Sequence, residues 1–151
     1  MKNFRLNHLR FEHLAIVAEK GYDAQQNHLI ALKFLAWYAK EYNVEIRTCK
    51  SEGGEKKIRD YSLDGYIKEE DKGIEVHGCY YHACEYCYQH DQTVLAQGRT
   101  AGMIRERDAK RLKYLRSCLD VEVYYECEIY EMLEENLEIQ NFSTNIMMWA
   151  P

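Results

Sequence analysis

A chain of 151 residues, 46% hydrophobic and 30% charged with a single proline, has the size and make-up of one folded domain. Such a chain buries about two-thirds of its unfolded surface, which excludes a fold that needs a metal for want of a core and excludes long low-complexity segments. The formal charge of -5 argues against indiscriminate coating of nucleic acid, and no stretch approaches the roughly 18 to 20 apolar residues of a membrane span.

In chain order, apolar residues recur at three- and four-residue spacing over residues 11–18 and again over 24–42, where Leu29, Leu32 and Leu35 share a face with Ile30, Phe34 and Trp37 beside it. Both stretches predict helices, with Gly21, Tyr22 and Asp23 between them and Asp23 as N-cap. Residues 44–48 alternate as a half-buried strand does, and Ser51, Glu52, Gly53, Gly54 and Glu55 form a turn. A strand centred on residues 61–66, an acidic turn at 69–73 and a strand at 74–79 make a meander. A cysteine loop follows, then a helix over 99–119, a strand at 121–125 and a short helix at 132–137. The helix between the strands near 76 and 123 makes those two parallel neighbours in one α/β domain. The first residues lack the apolar core of a signal peptide, so a soluble protein of a reducing compartment, nucleus or cytoplasm, with no membrane partner, is expected.

Residues 77–87 read His-Gly-Cys-Tyr-Tyr-His-Ala-Cys-Glu-Tyr-Cys. In a reducing compartment, six cysteines of which three cluster read better as a metal site than as disulfides. Cys79, Cys84 and Cys87 have Cys-x4-Cys-x2-Cys spacing, and Cys127 at the end of the neighbouring parallel strand closes a tetrahedral zinc set. Four thiolates leave no open position, so this Zn2+ is structural. The alternative, a redox dithiol of Cys84 and Cys87, lacks the helix N-terminus such motifs use. Cys49 and Cys118 read as small buried hydrophobes.

Asp64 ends one strand, and Glu75 lies on the next with His77 two residues on and on the same face. An acidic pair on adjacent strands, with the Val76 carbonyl between Glu75 and His77, suits a hard cation such as Mg2+. Surface carboxylates at strand ends look the same in a sequence. His82 falls between two zinc ligands, and Asp108 on the following helix would fix its tautomer for general acid or base work. Asp108 could instead pair with Arg111 or Arg105. Tyr80 and Tyr81 suit stacking on bases or packing in a sheet.

Charge is unevenly spread. Residues 99–116 carry seven Arg or Lys, whereas 120–138 carry eight acidic residues and no basic one. The first run could seat a phosphate backbone, through Arg105, Arg107, Lys110 and Arg111, and the second could face solvent or a protein partner; two ordinary solvated helices are the other reading.

The run from His77 to Cys87, with Glu-Arg-Asp at 106–108 and Glu-Cys-Glu at 126–128, resembles the very-short-patch mismatch repair endonucleases, a zinc-containing branch of the restriction-endonuclease-like PD-(D/E)XK nucleases. The resemblance covers roughly residues 60–130. It implies a restriction-endonuclease-like core, a mixed sheet flanked by helices with a zinc-stapled loop, and Mg-dependent hydrolysis of phosphodiester bonds in DNA. It places Asp64 and the Val76 carbonyl at the catalytic metal, His77 and His82 at two active-site histidines with Asp108 as partner of the second, and Tyr80 and Tyr81 at an aromatic pair that wedges into DNA. Cys79, Cys84, Cys87 and Cys127 fall on the zinc ligands. A closer similarity is to the nuclease-like region that accompanies protein-primed family B DNA polymerases of Maverick or Polinton elements, where a Gly-Gly-Glu turn, an Asp-Gly-Tyr and a Glu-x-His-Gly-Cys run follow one another; this widens the cover to about residues 25–137.

The sequence also departs from the repair enzymes. Their N-terminal helix glutamate has no clear match, Gln26 or His28 being nearest, and Glu75 is an acid they lack, so mismatch recognition is not carried over. The rival reading is a zinc-stapled nucleic-acid-binding or protein-interaction module that descends from such a nuclease and is inactive.

Overall fold

The computed structural model describes residues 24–135, with side chains from residue 29 onward and excepting 133 and 134. The expected helix over 11–18, the Asp23 cap and the end of the last helix at 137 lie outside the described residues. The protein is mixed α/β, and it divides into two compact units, residues 45–125 and a second drawn from residues 1–44 and 126–151. Among the described residues no helix is long and apolar enough to cross a membrane.

In the second unit, helix α1 (Ala24–Glu41) buries Ala31, Phe34, Leu35 and Tyr38, the i, i+3, i+4, i+7 stripe that a 3.6-residue period puts on one face. It ends in a left-handed residue, Asn43 at φ 49°. The Val44 N–H then reaches back to the Ala39 carbonyl at 3.0 Å and the Asn43 N–H to Lys40 at 3.3 Å, the paired bonds that satisfy the last carbonyls of a helix.

The unit of residues 45–125 holds both sheets. Strands β1 (Lys56–Ile58) and β2 (Tyr61–Leu63) form an antiparallel hairpin. Strands β3 (Gly65–Ile67), β4 (Lys72–His77) and β5 (Asp120–Tyr125) form a three-stranded sheet in the order β3-β4-β5. The β3–β4 pair is antiparallel and β4–β5 parallel, with Glu75 opposite Val123 and His77 opposite Tyr125. The parallel pair is the one expected from the sequence. A single turn of helix, α2 (Cys79–His82), follows β4, and α3 (Ala101–Cys118) makes the crossover to β5. Thr100 caps α3 by accepting from the Met103 N–H at 3.3 Å. The core of this unit is Leu63, Leu115, Leu119 and Val121, flanked by Ile58, Tyr66, Leu112 and Val123. Leu63 and Leu115 are fully buried, and truncating Leu115 to Ala would cost about 2–5 kcal/mol. Gly73 on β4 leaves room for this packing, since a Cβ there would meet Leu63 Cδ1 at 3.0 Å.

Five expectations change. The strand at 44–48 shrinks to one bridge, Arg47 with Tyr66. Beyond it the backbone turns, with the Thr48 N–H on Ser51 Oγ at 3.0 Å and the Ser51 N–H on the Thr48 carbonyl at 3.0 Å. The strand over 61–66 breaks at Asp64 into β2 and β3. Extending the β3–β4 register would set Leu63 opposite Val76, but the Val76 N–H donates to Asp64 Oδ2 at 2.7 Å instead. The last helix, α4 (Glu126–Glu135), starts six residues earlier than expected, with Glu126 and Glu128 in its first turn, where the helix dipole favours negative charge. Its acidic residues do not all face outward: Glu126 and Glu131 are buried together with Cys127 and Ile129, because the run is spread around the helix. Finally, Cys118 is exposed and Cys49 half-buried rather than both being core.

Candidate functional site

The cysteine set assembles. None of the six cysteines is in a disulfide, and the sulfurs of Cys79, Cys84, Cys87 and Cys127 lie within 4.8 Å of one another. Tetrahedral zinc with Zn–S bonds of about 2.3 Å needs sulfurs about 3.8 Å apart, so the four fit an ion with small adjustments. Cys79, Cys84 and Cys127 are buried and Cys87 half-buried. The local backbone explains the arrangement. Cys79 opens α2, Ala83 ends it in a left-handed conformation at φ 49°, and the Cys84 N–H returns to the Cys79 carbonyl at 3.2 Å. That reversal brings the x4 pair together. Cys127 is the second residue of α4, which follows β5 without a break. These four residues form a site able to hold a metal such as zinc.

Arg105 braces the same loop. Its Nε donates to the Ala83 carbonyl at 2.9 Å, Nη1 to Asp91 Oδ1 at 2.7 Å, and Nη2 to the Tyr88 carbonyl. The structure therefore spends Arg105 on the loop, where the sequence had suggested a DNA contact. Residues 91–101 fold back onto the start of α3 through the Ala101 N–H to Thr93 and the Gly102 N–H to Asp91. Tyr80 packs with Tyr88 against Ala83, Leu95, Ala101 and Ile104. It meets the half-buried Tyr81 edge to face at 5.4 Å.

On the other side of α2 lies a cavity of about 320 Å³ lined by Asp64, Glu75, Val76, His77, His82, Arg107, Asp108 and Arg111. All five residues expected to act in catalysis are among them. Asp108 falls on the buried stripe of α3, in step with Ala101, Ile104 and Leu115, which aims its carboxylate inward. His82 Nδ1 lies 2.8 Å from Asp108 Oδ2, while Arg107 donates to Asp108 Oδ1 from Nε at 3.1 Å and Nη2 at 3.0 Å. Burial works against the charge on Asp108, but the hydrogen bond and charge of His82, with Arg107, hold its carboxyl below the usual range. An ionised carboxylate only accepts, so His82 Nδ1 carries the proton of this contact, and in the neutral ring Nε2 is the acceptor nitrogen.

His77 lies beneath His82, rings 3.9 Å apart and 10° from parallel. Its Nε2 is 3.3 Å from Glu75 Oε2, while its buried Nδ1 has no hydrogen-bond partner among the described residues. Glu75 is itself held by Arg111, whose Nη1 donates to Oε2 and whose Nη2 donates to Oε1 at 3.2 Å and to the Ser62 carbonyl at 2.9 Å. Although burial opposes it, these donors keep the Glu75 carboxyl below its ordinary range. Glu75 thus joins Arg111 and His77, with each of its oxygens facing at least one of them. The same contacts hold Arg111 at the cavity wall, beside His77 and Asp108, where the sequence had placed it among the cations along α3. Lys110 remains exposed, 3.4 Å from Glu106 one turn away.

Asp64 has the opposite surroundings. Burial first, and then the charge of Glu75, push its carboxyl up from 3.8 to about 6, against the opposing Val76 N–H. Such a group gains from a bound cation. In a strand the N–H and C=O of one residue point to the same side, so the Val76 carbonyl shares the edge that Asp64 occupies. Asp64 Oδ2, the Val76 backbone and the Glu75 carboxylate all border the same cavity. His77, His82 and Asp108 also offer ligand atoms within 4.8 Å of one another. However, nitrogen lone pairs lie in the ring planes, and two parallel stacked imidazoles cannot both direct theirs at one ion unless a ring turns.

No family model, no curated protein and no solved structure matches the chain. The functional reading therefore rests on the residues themselves.

Arg111 is what sequence reasoning placed differently. Its signal was present: Asp108, Arg111, Leu112 and Leu115 follow the i, i+3, i+4, i+7 pattern, so a charged pair sits on the face that turns inward.

Proposed function

We propose that the protein is a metal-dependent endonuclease that hydrolyses phosphodiester bonds in DNA, with Zn2+ at the four cysteines as a structural staple. The observation that carries this reading is the His82–Asp108 contact of 2.8 Å in a cavity that also holds an unneutralised carboxylate, Asp64, and a fixed guanidinium, Arg111. Within it, the β3-β4-β5 sheet crossed by α3 is taken as the restriction-endonuclease-like core that the resemblance implies.

Magnesium held by Asp64 and the Val76 carbonyl would supply the charge that offsets a phosphate and orient a water beside it. His82 Nε2 takes a proton from the attacking water, and Asp108 stabilises the imidazolium that results. His77, locked by Glu75, keeps the His82 ring from tilting. Arg111 presents positive charge to the phosphate from a position that Glu75 and the Ser62 carbonyl fix, so its placement needs no ordering when substrate arrives. Arg107 serves Asp108 and offers an exposed edge to the backbone, with Lys110 further along the same helix.

The test is incubation of the purified protein with plasmid and with mismatched or branched duplexes in magnesium or manganese, beside Asp64→Ala and His82→Ala. Cleavage by the parent and a loss of about 10²–10⁴-fold in His82→Ala is the expected result. Equal cleavage by all three would remove the proposed site. A second reading, an inactive zinc-stapled binding module, draws on the pairing of Glu75 with Arg111; folded, zinc-loaded protein that cuts none of these substrates would establish it.

A further inference from the structure

Beside the cavity, an alternation of arginine and tyrosine runs across the hairpin and α3. The Arg59 guanidinium lies 5.5 Å from the centre of the Tyr114 ring, Tyr114 is 5.8 Å from Tyr61, and Arg111 lies 5.4 Å from the Tyr61 ring. Tyr61 is 36% exposed, and Arg59 is exposed at the hairpin tip while Tyr114 is half-buried. The far end of this row is continuous with the cavity, because the guanidinium that lies over Tyr61 is the one that Glu75 holds.

The hairpin tip supplies a separate observation. The two residues that join β1 to β2 are Arg59 and Asp60, and Arg59 has φ 53°. Glycine, asparagine or aspartate is the ordinary choice for a left-handed position in a two-residue hairpin loop. An arginine there is strained, and its cation is placed over an aromatic ring. Strain of this kind persists where surrounding structure enforces it, often at sites of function.

We propose that Arg59, Tyr114, Tyr61 and Arg111 form a stacking track for unpaired bases of the nucleic-acid strand whose phosphate enters the cavity. The inference rests on the phosphodiester reading of that cavity and names its substrate class: a single strand, or the unpaired arm of a branched duplex. Bases inside a duplex have both faces covered by their neighbours and cannot lie on a tyrosine, whereas unpaired bases of any sequence can. Arginines at both ends of the aromatic pair match the backbone charge of the strand and add cation–π attraction. A duplex would use the cavity and leave the track idle.

Fluorescence anisotropy with a labelled single-stranded DNA, its duplex and the corresponding single-stranded RNA, all with magnesium omitted so that nothing is cut, tests the track apart from cleavage. The parent is expected to bind the single strand more tightly than the duplex. Tyr61→Ala should weaken single-strand binding by roughly tenfold and Arg59→Ala by about threefold, with duplex binding changed less than twofold and Tyr61→Phe close to the parent. Preference for the DNA or the RNA strand assigns the sugar. Unfolding midpoints monitor the fold, and Arg59→Ala carries the test if Tyr61→Ala does not fold. Absence of a single-strand preference in the parent, unchanged single-strand binding in both variants, or equal loss on strand and duplex would each overturn the proposal. Parent protein that binds single strands through Tyr61 but cuts nothing keeps the track and removes the nuclease reading. Cleavage with Tyr61-independent binding does the reverse.

Discussion

The turn of residues 77–87 serves two clusters whose surroundings differ. Its cysteines, with Cys127, bring four sulfurs within 4.8 Å of one another, three of the four residues buried. Its histidines meet carboxylates, one clamped by Arg107 and the other by Arg111, and line a cavity of about 320 Å³. A closed set of soft ligands holds shape, whereas an open set of oriented proton carriers can do work. The two are joined by four residues of helix, so the position of His82 depends on Cys79 and Cys84 on either side of it. The lesson is that stability and chemistry are separated by ligand type, even though the residues alternate along the chain.

The largest expected effect probes whether the first cluster is scaffold. Cys127→Ser should reduce zinc, measured by atomic emission, from one per chain toward none. It should also lower the unfolding midpoint steeply, since structural zinc contributes of order 10 kcal/mol to small domains. Retained zinc with unchanged stability would erase the division between the clusters.

Next comes the clamp. Glu75→Gln leaves the Arg111 charge without its partner and should cost about 3 kcal/mol in urea unfolding, while zinc content stays at one per chain. A loss below about 0.5 kcal/mol would show that Glu75 is not holding the cavity together.

A smaller effect concerns Asp64 in protein free of magnesium. A carboxyl raised from 3.8 to about 6 in the folded state contributes stability that is full below about pH 4 and lost as pH rises through 6. Asp64→Asn, which keeps an acceptor for the Val76 N–H, should therefore be more stable than the parent at pH 7.5, with the difference shrinking as the pH falls to 5. Magnesium should bind the parent less tightly below pH 6, where protons compete for Asp64; isothermal titration at pH 5.5 and 7.5 measures this. Pairs of unfolding curves that stay parallel across pH would contradict the burial of that charge.

The smallest is a contrast. Lys110 pairs with Glu106 in full exposure, so Lys110→Ala should change stability by no more than about 0.5 kcal/mol and reduce duplex affinity only at low salt.

Much of this arrangement could be read from the chain, for reasons of local chemistry. The parallel β4–β5 pair followed from the helix read over 99–119 between two strands, observed as Ala101–Cys118, and the cysteine set from spacing that one turn can close. Asp64, Glu75, His77, His82 and Asp108 converge because strand and helix periods direct them there. What could not be read were the outcomes of competition. Whether Glu75 would meet a cation from solution or a guanidinium thirty-six residues on depends on the tilt of α3 against the sheet. Residues 44–48 alternate properly for a strand, yet the helix end at Asn43 and the turn at Thr48 leave space for one bridge only. The start of α4 was masked by Ile129 and Tyr130, which favour strands as readily as helices.

The bond from the Val76 N–H to Asp64 has a wider consequence. At Val76 the edge of β4 is zipped by a side chain where a neighbouring backbone would otherwise lie, and a carboxylate, unlike a carbonyl, has a second oxygen to spare. The sheet is thus left ajar at one tooth, and the gap is furnished with the acid that borders the cavity. Residue 64 is for that reason a structural stop as well as part of the cavity wall. Replacing it by valine would invite residues 63 and 64 to extend, closing the seam from the backbone side and removing the cavity's floor without touching a histidine.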